Sequence, residues 1–244
     1  MIDALTAAAH MMSNDLQRMT AISQNLANAG TTAYKRQLPI TTPFLEYLDI
    51  GAGAAGLRAQ PTTLPTHLLQ TDVRAGALRQ TAQPFDIAIE NSGYFEVKTE
   101  QGLAYTRRGD FHLDTQGRLV TQQGHPVSGT SGDIVLTSTE PTVNQNGGIF
   151  EKDKSVGQLK IVHFSNPETL NRVASGLFTL GEDTQLADAG RTKVRQGYLE
   201  ASNVISMDEM VRLIETVRHY QAGQKIIQGY DELLEKALRK FGEF

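Results

Sequence analysis

The stretch NVISMDEMVRLIETVRHYQAGQKIIQGYDELLEKALRKF, residues 203–241, decides the architecture. Leu213, Val217, Tyr220, Gln224, Ile227, Asp231, Leu234, Leu238 and Phe241 follow one another in steps of three and four. All but Gln224 and Asp231 are apolar, so a single seam runs along a long helix. Met207, Met210, Val211 and Ile214 extend that seam upstream with small drift. At 1.5 Å per residue the helix measures about 58 Å, more than the core of one globular domain needs. Gln224 and Asp231 would select a register if buried; otherwise the helix turns slightly and leaves them in water.

The other end of the chain carries a matching pattern. Leu5, Ala9, Met12, Leu16, Met19, Ser23 and Leu26 repeat at the same spacing, and neither Pro nor Gly intervenes before Gly30. About 26 residues of helix cover only part of a partner of about 39, which leaves near 20 Å of apolar stripe for another surface. The surplus points to assembly with other chains; the alternative is that both helices lie on the middle of their own molecule. For assembly, the interface residues are Leu5, Met12, Leu16, Met19, Leu26, Leu213, Val217, Tyr220, Ile227, Leu234, Leu238 and Phe241.

With 244 residues, 39% hydrophobic and 20% charged, the composition is that of a globular protein able to bury a core. A net charge of −4 without a basic block argues against nucleic acid as a partner. Cysteine is absent, which excludes disulfides and thiolate metal sites. No apolar run approaches a membrane span. The first basic residue is Arg18 and the early apolar residues are spaced apart, so a cleavable secretory signal is not expected.

The first helix is expected to end near Asn28, with Gly30 as a left-handed cap. Residues 37–83 are mixed: 44–48 read as a short helix or strand, and the Gly-Ala run 51–56 as a linker, since a phosphate-binding loop needs a strand before it and a helix after it. From Phe85 the period changes to two. Segments 85–89, 94–97, 104–107, 111–113 and 118–121, separated by Gly-containing turns, read as an antiparallel meander, with further strands at 134–137, 149–151, 158–164 and 177–180. Ser202 or Asn203 suits the N-cap of the final helix, whose dipole Asp208 and Glu209 complement. The fold class expected is therefore α+β: long N- and C-terminal helices forming a coiled-coil-like bundle, with an inserted all-β, meander or barrel-like domain. The divisions fall at 1–34, 35–84, 85–197 and 198–244.

Three ordered blocks also carry a resemblance. Asn25, Leu26, Ala27 and Asn28, followed by Tyr34, Lys35 and Arg36, form the first; residues 86–89, 93–95, 105–111, Asp114 and 117–120 form the second; residues 196–204 form the third. Together they resemble the flagellar rod and hook axial proteins over nearly the whole chain. In that family a glycine usually precedes the aromatic of the first block, where this chain has Ala33. With one β domain of modest size, the chain looks most like the proximal rod and next most like the distal rod. The resemblance implies a non-enzymatic structural subunit of the basal-body rod that transmits torque. It would assemble with copies of itself and other rod proteins and leave the cell through the flagellar export apparatus, for the periplasmic part of the flagellum. It implies no cofactor, metal or small-molecule substrate.

The residues themselves agree on chemistry. His10, His67, His112, His125, His163 and His219 show no metal-ligand spacing, Ser92, Ser128, Ser131 and Ser165 lack a nucleophile-elbow setting, and Asp183 and Asp188 read as loop acids. A secreted cell-wall enzyme, the alternative from another class, would need an acid pair or metal cluster. Arg108-Gly109-Asp110 reads as a turn between strands. Glu209/Arg212, Glu215/Arg218, Glu232/Lys236 and Glu235/Arg239 read as surface pairs on the final helix, each worth about 0.2–0.5 kcal/mol.

Overall fold

The alternation of period 3.6 at the ends and period 2 in between is realised, among the described residues, as two long α-helices and a β-rich domain, an α+β architecture. The structure, a computed structural model, describes residues 2–39, 69–152, 154–181, 183–187 and 192–242. The expected helix or strand at 44–48 and the linker at 51–56 lie outside the described residues, as do His67 and Asp188. Contacts divide the chain into a helical unit, Met1–Ala27 with Gln37–Thr71 and Ile205–Phe244, and a β domain, Asn28–Arg36 with Asp72–Val204.

In the helical unit, the N-terminal helix spans Ile2–Ala27 and the C-terminal helix Ser206–Gly242. A two-stranded antiparallel ribbon, Gln37–Pro39 with Leu69–Thr71, completes it. The C-terminal helix begins after the residues expected to cap it. Asn203 instead spends its amide and carbonyl on backbone groups of Arg36, Asp72 and Arg74, and Ser202 Oγ accepts from the Val204 amide. Ile205, whose carbonyl accepts from the Glu209 amide, stands at the helix start. The expected cap at Gly30 is also corrected: the left-handed residue after the N-terminal helix is Ala33, at φ 52°. Local capping rules favour Gly at such a position, but the amide of Ala33 is committed to the Glu200 carbonyl at 2.8 Å, and that bond sets the turn.

In the β domain the strands are antiparallel, but their order is not that of a meander. The main sheet runs Asn171–Arg172, Leu177–Thr179, Gly102–Thr106, Tyr94–Thr99, Ile161–Phe164, Leu186–Ala187. Its centre is one hairpin, flanked on both sides by strands from much later in the chain. Ile87–Ile89 pairs with Val194–Gln196, and Leu78–Gln80 with Tyr198–Glu200, so the two ends of the domain close on each other. The expected strand at 158–164 is interrupted, as Lys154–Gln158 and Ile161–Phe164 belong to different sheets, and 134–137 contributes only a single bridge at Val135. Strands of two or three residues carry too little periodicity to declare their partners; burial around one core does that. Phe95, Val97 and Val127 are wholly buried at its centre, and Phe95 meets Phe111 edge to face at 5.1 Å.

Candidate assembly interface

The two helices pack along a line that an apolar pattern does not reveal. Among the described side chains of the C-terminal helix the buried residues are Glu209, Thr216 and Gly223, one every seven positions, none of them a large hydrophobe. Thr216 satisfies its own hydroxyl on the Arg212 carbonyl. At Gly223 an added Cβ would stand 3.0 Å from Met12 Cγ and 3.4 Å from Met11 Cε, so the missing side chain is what lets the two methionines approach. Facing them on the N-terminal helix are the buried residues Ala8, Asp15, Ala21, Ile22 and Asn25.

Two polar contacts set the register. His219 Nδ1 lies 2.6 Å from Asp15 Oδ2, and Asn25 Nδ2 donates to Glu209 Oε2 at 3.2 Å. Moving ten residues forward from Asp15 to Asn25 moves ten backward from His219 to Glu209, so the helices are antiparallel and in step. Asn25 also holds the ribbon, donating to the Gln37 carbonyl at 2.9 Å and accepting from the Gln37 amide at 2.8 Å.

The sequence-derived interface residues divide around this line. Met12, Met19, Leu26, Leu213, Val217, Tyr220 and Ile227 are half-buried along it. Leu16 is 48% exposed and Leu234 44% exposed, and Gln224 and Asp231 are exposed to water. The side chains of Leu5, Leu238 and Phe241 lie outside the described residues. Glu209 is not a surface partner of Arg212 but a buried acceptor, while Arg239 and Glu235 pair on the surface at 2.6 Å.

Met207, Met210, Val211 and Ile214 do not continue the covered seam, as the drifting pattern had implied. At 100° per residue they fall roughly opposite Glu209, Thr216 and Gly223. They are 73%, 47%, 55% and 54% exposed, a stripe turned away from the chain's own partner helix. At the other end, the antiparallel register places Ile2 opposite about residue 232, so roughly ten residues of the C-terminal helix, on the order of 15 Å, reach past the N-terminal helix. Leu233 and Leu234 are exposed there.

In the β domain, the three blocks of resemblance converge on a buried ion network. Lys35, from the first block, donates through Nζ to Glu200 Oε1 at 2.5 Å and to the Arg74 carbonyl at 2.7 Å. Glu200, from the third, also accepts from the Gly76 amide at 2.9 Å and, through Oε2, from Arg107 Nε at 2.8 Å. Arg107, from the second, donates onward to the carbonyls of Asn91 and Gly93. Lys35 and Glu200 are each 1% exposed. Burial pulls the Lys35 ammonium below its usual pKa, and the Glu200 carboxylate opposes that shift. Arg107 and Glu200 fall within the second and third blocks, where neither has its partner close by in sequence. The charge complementarity of Glu200 with Arg107, 93 residues away, and with Lys35, 165 residues away, is visible only once the chain has folded.

Asp72 supports the same region from its edge. Its carboxylate accepts three side-chain bonds from Arg74, at 2.6, 2.9 and 3.1 Å, and one from the Arg74 amide. Those bonds hold its pKa below the ordinary carboxylate range. Because the folded value is depressed, the stabilisation is complete above the unfolded value of about 3.9 and is lost as pH falls through the folded one. Thermal melts between pH 5 and pH 2.5 are therefore expected to show a smaller acid loss for Asp72→Asn than for the native chain. With Arg74 80% exposed the difference stays under about 1 kcal/mol.

Histidine and serine do meet once. Ser92 Oγ lies 3.4 Å from His163 Nδ1, and His163 Nε2 lies 2.5 Å from Thr192 Oγ1. A hydroxyl occupies the place where a catalytic triad has its carboxylate, and burial together with Arg107 lowers the His163 pKa. Among the described residues there is no group of three or more His, Asp or Glu that could hold a metal ion, and no helix long and apolar enough to cross a membrane. Gly109, expected in a turn, serves instead as a point of strand contact, where an added Cβ would stand 1.6 Å from the Ile87 carbonyl oxygen.

Comparison with known proteins agrees with this arrangement. Residues 195–240 match the family described as flagellar basal body rod FlgEFG protein C-terminal, and residues 88–151 the flagellar hook protein FlgE/F/G D1 domain. The chain is 32% identical over 244 residues to the flagellar basal-body rod protein FlgG of Buchnera aphidicola subsp. Acyrthosiphon pisum, which spans 89% of this chain and 92% of that one. It is 29% identical to the FlgG protein of Bacillus subtilis, over 97% and 98%, and 31% identical to the FlgF protein of Escherichia coli, over 94% of each. The first match covers the long helix and the strand leading into it, and the second covers the central hairpin and its core. With its helix pair, its β domain and relatives aligned from end to end, this chain belongs to the flagellar basal-body rod protein family.

Proposed function

We propose that this chain is a structural subunit of the flagellar basal-body rod, built into the axis through its terminal helices and without catalytic activity. The observation that carries the reading is the exposed stripe Met207, Met210, Val211 and Ile214, on the side of the C-terminal helix that its own N-terminal helix does not cover. A helix with one face covered within the chain and an apolar face left open is suited to a neighbouring helix. The overhang beyond about residue 232 adds a second open surface, where Leu233 and Leu234 are exposed. In this reading the helices form a coiled-coil-like bundle with those of other subunits and transmit torque through packing. Export through the flagellum's own apparatus and a periplasmic position belong to the same proposal. Relatives named FlgG and FlgF match over the same span at about the same identity, so the proposal is made for a rod subunit and covers both the proximal and the distal position.

Ile214→Asp tests it. Ile214 is exposed, so the free chain should keep its melting temperature within about 0.5 kcal/mol of stability. In cells lacking the native copy, the variant should fail to enter basal bodies and motility should be lost. Normal motility with Ile214→Asp would remove the stripe as an interface. Ile227→Asp, within the helix pair, should block incorporation as well while leaving the β domain folded.

A further inference from the structure

Residues Asn28–Arg36 pack with the β domain, although the chain immediately before and after them belongs to the helical unit. None of these nine residues belongs to either of the domain's hydrophobic clusters. Ala33 and Tyr34 are buried, and the rest of what holds the segment is polar. The Ala33 amide donates to the Glu200 carbonyl at 2.8 Å, and the Arg36 amide to Asn203 Oδ1 at 2.7 Å. Lys35 Nζ reaches Glu200 and the Arg74 carbonyl, while Arg172 stacks 4.3 Å over the Tyr34 ring and donates to the Lys35 carbonyl at 3.2 Å.

Two features of the segment resist this placement. Ala33 is held at φ 52°, where its Cβ crowds the carbonyl that follows. Lys35 is 1% exposed, and an ammonium regains its hydration as soon as it leaves. A segment outside both hydrophobic clusters, with buried charge and backbone strain opposing its placement, has a low local cost of opening.

We propose that Asn28–Arg36 is a releasable strap: a two-state element that leaves its slot between Glu200, Asn203 and Arg172 as one piece while the sheet around Phe95 stays folded. Released, the nine residues become a loop whose two ends stay joined to the helical unit, where Asn25 holds Gln37 through two hydrogen bonds. The strap is a property of the free chain and stands apart from the rod reading.

Native-state hydrogen exchange on the full chain tests it. The amides of Ala33 and Arg36 should exchange at least 100-fold faster than those in Tyr94–Thr99. Lys35→Met should speed them by a further factor of about 100 and leave the sheet amides unchanged. If Lys35→Met does not fold, Arg172→Ala loosens the strap from outside and should speed the same two amides about tenfold. Exchange of Ala33 and Arg36 at the rate of the sheet, in the native chain or in either variant, would mean one cooperative unit and would overturn the strap. So would rates that neither substitution changes.

Discussion

Glu200→Ala is expected to cost the β domain about 3–5 kcal/mol, because it strands two buried cations at once. Arg107 is 5% exposed and Lys35 1%, and the carboxylate between them accepts from both and from the Gly76 amide. Removing it leaves a guanidinium in the interior, bonded only to backbone carbonyls, and an ammonium with one carbonyl acceptor. This loss also reaches the sheet through Arg107, which the loss of Lys35 leaves bonded to Glu200 and to the carbonyls of Asn91 and Gly93. Urea denaturation followed by tyrosine fluorescence measures it. A shift below 1 kcal/mol would show that water reaches the network and screens it.

Gly109→Ala is expected to cost at least about 3 kcal/mol, at or beyond the upper end of what overpacking a core does. The added methyl would stand 1.6 Å from the Ile87 carbonyl oxygen and 2.7 Å from its carbon. Both are backbone atoms, so no rotamer change can relieve the clash. The two segments would have to separate, breaking the bond from the Ile87 amide to the Gly109 carbonyl, 3.0 Å, beside the core. Had Gly109 occupied an ordinary turn, alanine would cost about 1 kcal/mol at most. The melting temperature of the single variant separates the two roles.

Much of this molecule was legible before folding. The two long helices follow from period 3.6 without Pro, and the β-rich middle follows from period 2 with Gly between segments, because both patterns are local. Ion pairing between Glu235 and Arg239 was equally local. Errors gathered where a residue answers to something distant. Asn203 looks like an N-cap by its neighbours, yet it binds Arg36, Asp72 and Arg74. Ala33 looks wrong for a left-handed turn, yet Glu200 holds it there. Glu209, Thr216 and Gly223 look like the polar side of a helix, yet they are its buried line, because close helix approach selects small and hydrogen-bonding side chains that an apolar pattern omits.

By itself, then, the sequence determined the element types, the unequal lengths of the helices and the kinship carried by three separated blocks, since each is written within a window of a few turns or strands. Only the tertiary structure decided which helix face is covered, which strands are neighbours and why the three blocks exist together. Those answers depend on groups more than a hundred residues apart meeting in a medium too poor in water to leave a charge, a carbonyl or a clash uncompensated.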